Sequence, residues 1–508
     1  MMLRSAALRV GVVSVPREIL ALVVAIGVSG LAGLAAGGGY SFPLAGLLVF
    51  AVALVIGMLN WRWSVYGLLI YLPVSGIPVL AMYPDTTLPV LAKDILFVIP
   101  AYVGFAAYYS VRRLPFSFAG APIVLFAMLA LLVVVQAFNP SLPNRLVGAI
   151  GVKVWLMYIP LCFLGYHLVR DKQDLSRLLG LMSIVALIPA VIGILEALLI
   201  YGGQSELVYH YYGGAAASAT QDFAEFNFQS GGFIRRIPST FSFSAQYYIF
   251  GSSMIAVTYA WWRGYLAGTP FSFLGCLVWL VMLAAVFLSG ARGAFLFGPL
   301  MVVLILLLER RTIGISPSRA LAVGVVFFAA FAVIGARGGE IIGHAFETGS
   351  GEFMSTFVDG FRQALGVTWG GLGTGIDTAG SRYAFADPKM FQAVGGTWYE
   401  SWYVKVVLEL GIVGLLLVVL LMGSIMVRGL HNHFRLRDAR LGVVSAAILA
   451  FLAWNLVYDM KAQYLDFDPV NVYFWLLVGV LAKVAVLDRS NSQKQGQEAL
   501  QEAQPCLP

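Results

Sequence analysis

The sequence predicts an all-α polytopic membrane protein with about 12–14 transmembrane helices. Of its 508 residues, 60% are hydrophobic and only 11% are charged, and the mean hydropathy is +0.86. Apolar runs long enough to cross a bilayer recur along most of the chain, and two long polar segments, about 202–240 and 336–399, interrupt them. This composition excludes an ordinary soluble protein. The three cysteines have no paired spacing, so neither a disulfide framework nor a metal cage is indicated.

The apolar runs define the predicted spans in chain order. The weakest is 64–82, where Pro73, Gly76 and Pro78 predict a broken or re-entrant segment. The others are more continuous. The full set is 19–37, 42–59, 64–82, 91–110, 116–138, 150–169, 178–201, 243–262, 270–289, 293–309, 319–335, 401–427, 441–458 and 470–487.

Lysine and arginine positions predict the orientation. With the N-terminus inside, most of the 32 lysines and arginines fall in alternate loops on one side of the membrane. We therefore expect residues 1–18 to be cytoplasmic, without a cleavable signal peptide, and residues 488–508 to form a disordered cytoplasmic tail. The transmembrane domain is 19–487, and its two long loops face outward. Basic residues on the outer side run against the charge bias, which makes them candidate ligands for an anion.

The second long loop carries an apolar helical pattern. Phe353, Phe357 and Phe361 recur at i, i+4 and i+8. This spacing predicts an amphipathic helix that lies on the outer membrane surface.

Five basic residues on the outer side are the candidate anion ligands, because arginine in particular binds phosphate with two parallel hydrogen bonds. Glycines flank the arginine of the short hairpin 289–294, which would let a ligand approach the backbone. The alternative for each residue is a contact with lipid headgroups or a helix end. The five are Arg235, Arg236, Arg292, Arg362 and Lys153.

Glu400 opens the apolar run 401–427 at the predicted water–lipid boundary. A carboxylate at that depth is costly and is a default candidate for a functional site. Tyr399 and Tyr403 beside it are candidate substrate contacts. The simpler interpretation of these aromatic neighbours is an interfacial belt.

Other carboxylates are weaker candidates. Glu196 lies inside an apolar run and should pair with a cation unless it is neutral. Glu409 follows Lys405 at i, i+4, so we expect these two side chains to pair on one helix. The triplet 466–468 has the form of a DxD metal motif, but such triplets arise easily by chance, and no metal is predicted.

The sequence contains neither a Walker loop nor a dinucleotide fingerprint. We therefore expect no cofactor, and a donor substrate that brings its own activation. A lipid pyrophosphate meets this requirement: its tail explains a membrane-embedded site, its phosphates explain outer-side arginines, and a carboxylate would deprotonate an attacking sugar hydroxyl.

Several short motifs occur in an order that resembles the bacterial O-antigen ligase and O-antigen or exopolysaccharide polymerase superfamily, which are glycosyltransferases of the GT-C type. The resemblance covers most of 90–485. The motifs are Arg235–Tyr248, Ser289–Ala294, Gly371–Gly375, Leu408–Gly414 and Phe474–Gly479.

This resemblance implies a multi-pass protein of the bacterial inner membrane and a metal-independent, inverting glycosyltransferase. Its substrate would be an undecaprenyl-pyrophosphate-linked glycan. Its partners would be the bilayer and the chain-length regulator and flippase of the same pathway, with no nucleic acid. Many similar proteins carry a histidine just before the Leu-Glu-Leu-Gly helix. This chain has Glu400 there, which makes Glu400 the first candidate base and Glu196 the second, and favours a polymerase.

Two alternatives remain open. An O-antigen ligase would transfer the finished glycan to lipid A core or to a protein. A lipid-linked glycan flippase or transporter is a poorer fit, because its ionisable residues should lie at the membrane midplane and on both sides.

Overall fold

The computed structural model describes residues 41–112, 123–213, 226–227, 233–313, 351, 354–385 and 388–502. Within these ranges the secondary structure is almost entirely helical, apart from one antiparallel pair of two-residue strands. The predicted spans 19–37 and 319–335 lie outside the described residues.

The α-helices are numbered in chain order. They are α1 (Ser41–Leu59), α2 (Trp61–Tyr71), α3 (Gly76–Ala81), α4 (Thr87–Lys93), α5 (Ile99–Arg112), α6 (Ile123–Gln136), α7 (Arg145–Leu156), α8 (Leu161–Leu168), α9 (Lys172–Tyr201), α10 (Ser205–Tyr212), α11 (Ser244–Trp261), α12 (Ser272–Leu288), α13 (Arg292–Ile313), α14 (Gly360–Val367), α15 (Ala379–Phe385), α16 (Pro388–Ala393), α17 (Trp402–His433), α18 (Ala439–Tyr458) and α19 (Val470–Glu502).

The strands are β1 (Phe226–Asn227) and β2 (Phe233–Ile234). Short 3₁₀-helical segments occupy Leu72–Val74 and Tyr464–Asp466, and π-helical segments occupy Asp94–Val98, Trp262–Leu266 and Met354–Asp359.

Six helical stretches of the described residues are long and apolar enough to cross a membrane, and the chain is therefore an α-helical, multi-pass membrane protein. Four shorter apolar helices accompany them, at Val49–Leu59, Ile123–Gln136, Ser272–Leu288 and Gly298–Glu309. The total of 12–14 spans stays a prediction. The six stretches are Thr87–Arg112, Arg145–Leu168, Lys172–Tyr201, Trp402–His433, Ala439–Tyr458 and Val470–Arg489.

The chain divides into two units. In the first, 1–68 with 91–116, helix α1 packs against α5. Gly57 and Gly104 make this contact so close that a Cβ on Gly104 would lie 1.9 Å from the Gly57 carbonyl oxygen. The side chain of Trp61 packs edge-on against Phe105 at a ring-centroid distance of 5.0 Å.

The second unit, 69–90 with 117–508, is built around α11. Nearly every residue of α11 is buried, since α9, α12, α13 and α18 pack around it. Helix α19 packs against α8 and α18. This arrangement fixes the start of α11 beside the ends of α18 and α12, where the candidate site lies.

The predicted break within 64–82 is confirmed. Helix α2 ends at Tyr71, a 3₁₀ turn follows, and α3 begins at Gly76. A Cβ on Gly76 would lie 2.4 Å from the backbone of Phe241, and the hydroxyl of Thr240 donates a hydrogen bond to the Pro73 carbonyl. The break therefore lets the 240–241 backbone pass close to the helix.

Helix α17 has a kink at Gly411, whose φ of 69° is a left-handed conformation that favours glycine. The glycine-rich loop before α15 enters this kink: the Leu372 N–H donates to the Leu408 carbonyl at 2.7 Å, and Ile412 N–H donates to the Trp369 carbonyl at 3.0 Å. Backbone groups released by the kink are thus satisfied within the protein, as a membrane-spanning segment requires.

Two expectations about helices differ from the structure in detail. The predicted amphipathic helix is present over Met354–Val367, but Phe361 and Leu365 pack against a buried cluster that includes Leu408 of α17; Phe353 lies outside the described residues. Helix α19 extends to Glu502, into the tail expected to be disordered. The glutamines, glutamates and alanines of this tail have favourable helix propensity.

Candidate functional site

A cavity of about 520 Å³ lies where the segment before α17 meets the start of α11 and the loop after α18. One carboxylate, Glu400, and three cationic residues line it, with four tyrosines and a glutamine. The lining residues come from distant parts of the chain. They are Arg236, Phe243, Ser244, Ala245, Tyr248, Ala291, Gly293, Thr356, Ala379, Arg382, Tyr399, Glu400, Tyr458, Lys461, Ala462, Gln463, Tyr464 and Phe467.

The side chain of Glu400 is exposed to this cavity. Within the described part of the chain its carboxylate makes no hydrogen bond or ion pair. Its backbone neighbours are held firmly: the Tyr399 carbonyl accepts a hydrogen bond from Gln463 Nε2 at 2.9 Å, and the Trp402 N–H donates to the Asp459 carbonyl at 3.0 Å. A fixed backbone with an unengaged carboxylate suits a group that must meet a substrate hydroxyl.

The side chain of Arg382 is held in place by contacts with three other residues. Its guanidinium forms an ion pair with Asp377, lies 4.6 Å from the ring centroid of Trp398, and donates to the Tyr399 carbonyl at 3.2 Å. It therefore connects the turn before α15 to the residue that precedes Glu400. Arg382 also lines the cavity.

Asp377 lies behind Arg382 and is fully buried. Burial raises the pKa of its carboxyl to about 7; the Arg382 guanidinium acts in the opposite direction, and the carboxylate of Glu409 adds to the rise. Gln463 Nε2 also approaches the Asp377 carboxylate, at 3.3 Å. The site therefore contains a buried acid whose charge state changes near neutral pH.

Glu409 does not pair with Lys405, and that expectation is wrong. Lys405 is fully buried and forms its ion pair with Asp466. Glu409 instead accepts hydrogen bonds from Trp155 Nε1 at 2.6 Å and from the Thr378 hydroxyl at 2.9 Å. Sequence spacing favoured the i, i+4 pair, but the tertiary fold brings better-placed partners to each group.

Asp466 is also engaged by a tryptophan. Its carboxylate accepts from Trp402 Nε1 at 3.0 Å, in addition to the Lys405 pair. The first acid of the 466–468 triplet thus anchors the start of α17 to the loop after α18. In the described residues, no group of three or more His, Cys, Asp or Glu side chains could hold a metal.

The hairpin 289–294 explains how its motif reaches the site. The Ile237 N–H donates to the Ser289 carbonyl at 3.0 Å, and a Cβ on Gly290 would lie 2.0 Å from the Arg235 carbonyl oxygen. The hairpin therefore packs directly on the segment that carries the adjacent arginines. Helix α13 begins at Arg292, between two residues that line the cavity; its side chain lies outside what the structure describes.

Of the adjacent arginines, only Arg236 lines the cavity. Among the described residues it forms no ion pair. Arg235 instead donates a hydrogen bond to the Tyr209 hydroxyl and lies 5.6 Å from that ring's centroid. The two arginines therefore have different surroundings despite their adjacency.

The structure places the second candidate base, Glu196, outside the cavity lining. Its buried carboxylate accepts hydrogen bonds from the Tyr212 hydroxyl at 2.6 Å and from the Ser239 N–H at 3.0 Å. Both partners described are neutral, so of the two alternatives that the sequence left open, a cation partner or a neutral carboxyl, the described residues provide no cation partner. Because Ser239 has a left-handed φ of 54°, Glu196 stabilises an unusual turn just after the arginine segment.

Three other predicted ligands also lie outside the cavity lining. Arg362 is 75% exposed and forms a surface ion pair with Asp359 at 3.6 Å. The hydroxyl of Tyr403 donates to the Leu456 carbonyl at 2.9 Å, which links α17 to α18. Lys153 is half-buried near the end of α7. Tyr399, by contrast, does line the cavity.

Several residues of the cavity were not predicted from the sequence: Arg382, Lys461, Gln463 and the tyrosines Tyr248, Tyr458 and Tyr464. For the two cations a signal was present, because both belong to the basic residues that run against the charge bias. Nothing local distinguished them from other outer-side cations. Only their convergence on Glu400 selects them.

Searches with protein-family models and among curated proteins give no match to this chain. The similarity to the O-antigen ligase and polymerase superfamily thus stays a prediction from short motifs.

Proposed function

We propose that the protein is a polysaccharide polymerase that joins oligosaccharide repeat units carried on undecaprenyl pyrophosphate. The observation that supports this most is the convergence of Glu400 with Arg236, Arg382 and Lys461 in one cavity. A general base and several cations are what transfer from a pyrophosphate-activated sugar requires. The proposed setting is the periplasmic face of a bacterial inner membrane.

In the proposed reaction, Glu400 removes the proton from a terminal hydroxyl of the acceptor glycan. That oxygen attacks the anomeric carbon of the donor sugar from the face opposite the pyrophosphate, and the bond from this carbon to the pyrophosphate oxygen breaks. The bonding electrons leave with the lipid pyrophosphate. Arg236, Arg382 and Lys461 stabilise the negative charge that develops there. The new glycosidic bond has inverted configuration.

The aromatic residues provide a surface for sugars. The rings of Tyr458 and Tyr464 lie 4.8 Å apart, and those of Phe243 and Phe467 lie 5.5 Å apart. Apolar faces of sugar rings pack well on such amphipathic aromatic walls. In the proposal, these rings orient the acceptor hydroxyl toward Glu400.

The test is to replace Glu400 with Gln in cells and to size the glycans that remain on the carrier lipid. We expect a fall in transfer rate of about 10² to 10³ and an accumulation of single repeat units. Glu206→Gln, an exposed glutamate of α10 outside the cavity lining, is the matched control.

Other outcomes have defined meanings, provided that the variant reaches the membrane in normal amounts. Long glycans on the carrier lipid would reassign the protein as a ligase. Single units left on the cytoplasmic leaflet would indicate a flippase. A normal polymer profile would remove Glu400 from the mechanism.

A further inference from the structure

A second cavity, of about 300 Å³, lies between the last turns of α17 and the middle of α19. Helix α17 contributes Val427, Arg428 and His431, and helix α19 contributes Ala482, Val486 and Arg489. On α19 these positions recur at i, i+4 and i+7, so they share one helical face. The cavity is therefore a groove between two packed helical faces, with an apolar floor and a basic rim.

This groove lies at the opposite end of α17 from Glu400. The part of the helix after the Gly411 kink, 412–433, would be about 33 Å long at about 1.5 Å per residue, enough to cross the hydrocarbon thickness of a bilayer. If α17 crosses the membrane, the groove and the Glu400 cavity open at opposite membrane surfaces. The predicted orientation makes the groove cytoplasmic.

The residues that line the groove include two arginines and a histidine and no acid. Arg428, His431 and Arg489 are its titratable lining residues, and among the described residues none of the three forms an ion pair. The nearest acid in sequence, Asp488, accepts backbone hydrogen bonds from Arg437 and Asp438 at 2.9–3.2 Å. The carboxylate of Asp488 therefore bonds the backbone of the loop before α18.

Stabilisation of a helix end explains only part of this pattern. Basic residues in the last turns of α17 would be favoured by its macrodipole in any case. Arg489, however, comes from the interior of α19, which continues to Glu502, so no helix end accounts for it. Two arginines from separate helices that face one cavity are suited to a phosphate group.

An apolar stripe connects the groove to the membrane-spanning part of α17. Leu416, Leu420 and Val427 are 57%, 56% and 66% exposed and recur at helical spacing. The stripe ends at Val427, which also lines the groove. An acyl chain would lie along this stripe while its headgroup occupied the basic cavity.

We propose that this groove binds the phosphate headgroup of an anionic glycerophospholipid. The two arginines would contact the phosphate, and the small floor residue Ala482 leaves room for the glycerol. This site is independent of the proposed transferase reaction, since it depends only on the groove and on a membrane-spanning α17.

The test uses the full chain purified in detergent and native mass spectrometry, with short-chain phosphatidylglycerol as the probe and matched phosphatidylcholine as the neutral comparison. We expect Arg428→Ala/Arg489→Ala to bind phosphatidylglycerol about tenfold more weakly, with little change for phosphatidylcholine. Arg435→Ala, an exposed arginine outside the groove, is the control and should bind as the wild type does.

A second variant, Val486→Trp, fills the groove without removing charge and should also weaken phosphatidylglycerol binding. Its folding is checked by gel filtration. If Arg435→Ala lost as much phosphatidylglycerol binding as the double variant, the lipid would be attracted by surface charge in general, and the proposal would be overturned. Full displacement of the lipid by inorganic phosphate would reassign the groove to a free anion. Equal binding of the two lipids by the wild type would also overturn it.

Discussion

Asp377 and Arg382 form an ion pair directly behind the peptide that precedes Glu400. The arginine reaches from this pair to the Tyr399 carbonyl, and Gln463 contacts the same carbonyl and the same carboxylate. The buried carboxylate of Asp377 therefore holds Arg382, which lines the cavity, although Asp377 is not itself a lining residue. This relationship places Asp377 as a positioning residue for Arg382 and Glu400.

Replacing Asp377 with Asn should reduce the transfer rate by about 10- to 100-fold, because Arg382 would lose the anion that orients it. Its pH profile should also change. The pKa of the Asp377 carboxyl is about 7, so wild-type activity should fall as the pH drops below that value and the ion pair is lost. The Asn variant should lack this acidic limb. A variant with the wild-type pH profile and a lowered rate would contradict this role.

The raised pKa of Asp377 predicts that folding stability and activity depend on pH in opposite directions. Its pKa is raised on folding from 3.8 to about 7, so its contribution to folding stability is fully present below 3.8 and is lost as the pH rises through 7. Thermal unfolding in detergent should therefore show the Asp377→Asn variant gaining stability relative to the wild type as the pH rises across this window. A constant difference between the two proteins would argue against the raised pKa.

Arg236→Ala should lower transfer about 10²-fold or more, because it removes a cation from the proposed leaving-group site. Arg362→Ala is the matched comparison. The sequence placed both arginines in the binding set, but Arg362 is a surface residue paired with Asp359. We expect near-normal rates for Arg362→Ala in membranes assayed with purified lipid-linked repeat units. Equal losses in the two variants would restore the sequence prediction for Arg362.

Glu196→Gln should act on stability rather than on chemistry. The Tyr212 hydroxyl and the Ser239 N–H donate to different oxygens of the carboxylate, and the substitution replaces one of these oxygens with an amide N–H₂ group, so one donor loses its acceptor. We expect a loss of about 1–3 kcal/mol in unfolding free energy, measured by thermal or denaturant unfolding. Activity per folded molecule should be retained. If the Glu196→Gln variant is folded with normal stability but inactive, Glu196 is again a candidate for the catalytic base.

Gly411→Ala tests the kink of α17. A Cβ there would lie 2.5 Å from the Trp369 carbonyl oxygen, at a φ of 69°, so we expect about 1–3 kcal/mol of destabilisation or failure to accumulate. Gly423→Ala in the same helix is the matched control. Apart from the nearby backbone of its own helix, no atom lies within 4 Å of that added Cβ, and we expect a neutral or slightly stabilising effect. Equal tolerance of both substitutions would mean that the kink is not required.

Part of the candidate site was predictable from sequence. Glu400 was predicted because a carboxylate at a membrane boundary is costly, Tyr399 because it adjoins Glu400, and Arg236 because an outer-side arginine is suited to phosphate. All three line one cavity. Arg235, Arg362, Lys153, Tyr403 and the second candidate base Glu196 were also predicted from local patterns, yet they lie outside this lining. Their partners are contributed by other elements, which local patterns do not reveal.

Apolar run lengths and the bias of basic residues determined by themselves that this is a multi-pass helical membrane protein, because the bilayer requires long apolar helices. The proline and glycine residues near 73–78 likewise determined a helix break. Tertiary structure alone decided the partners of the charged groups. Lys405 pairs with Asp466 and not with Glu409, because a buried charge takes the best-placed partner in space, at whatever sequence separation the fold provides.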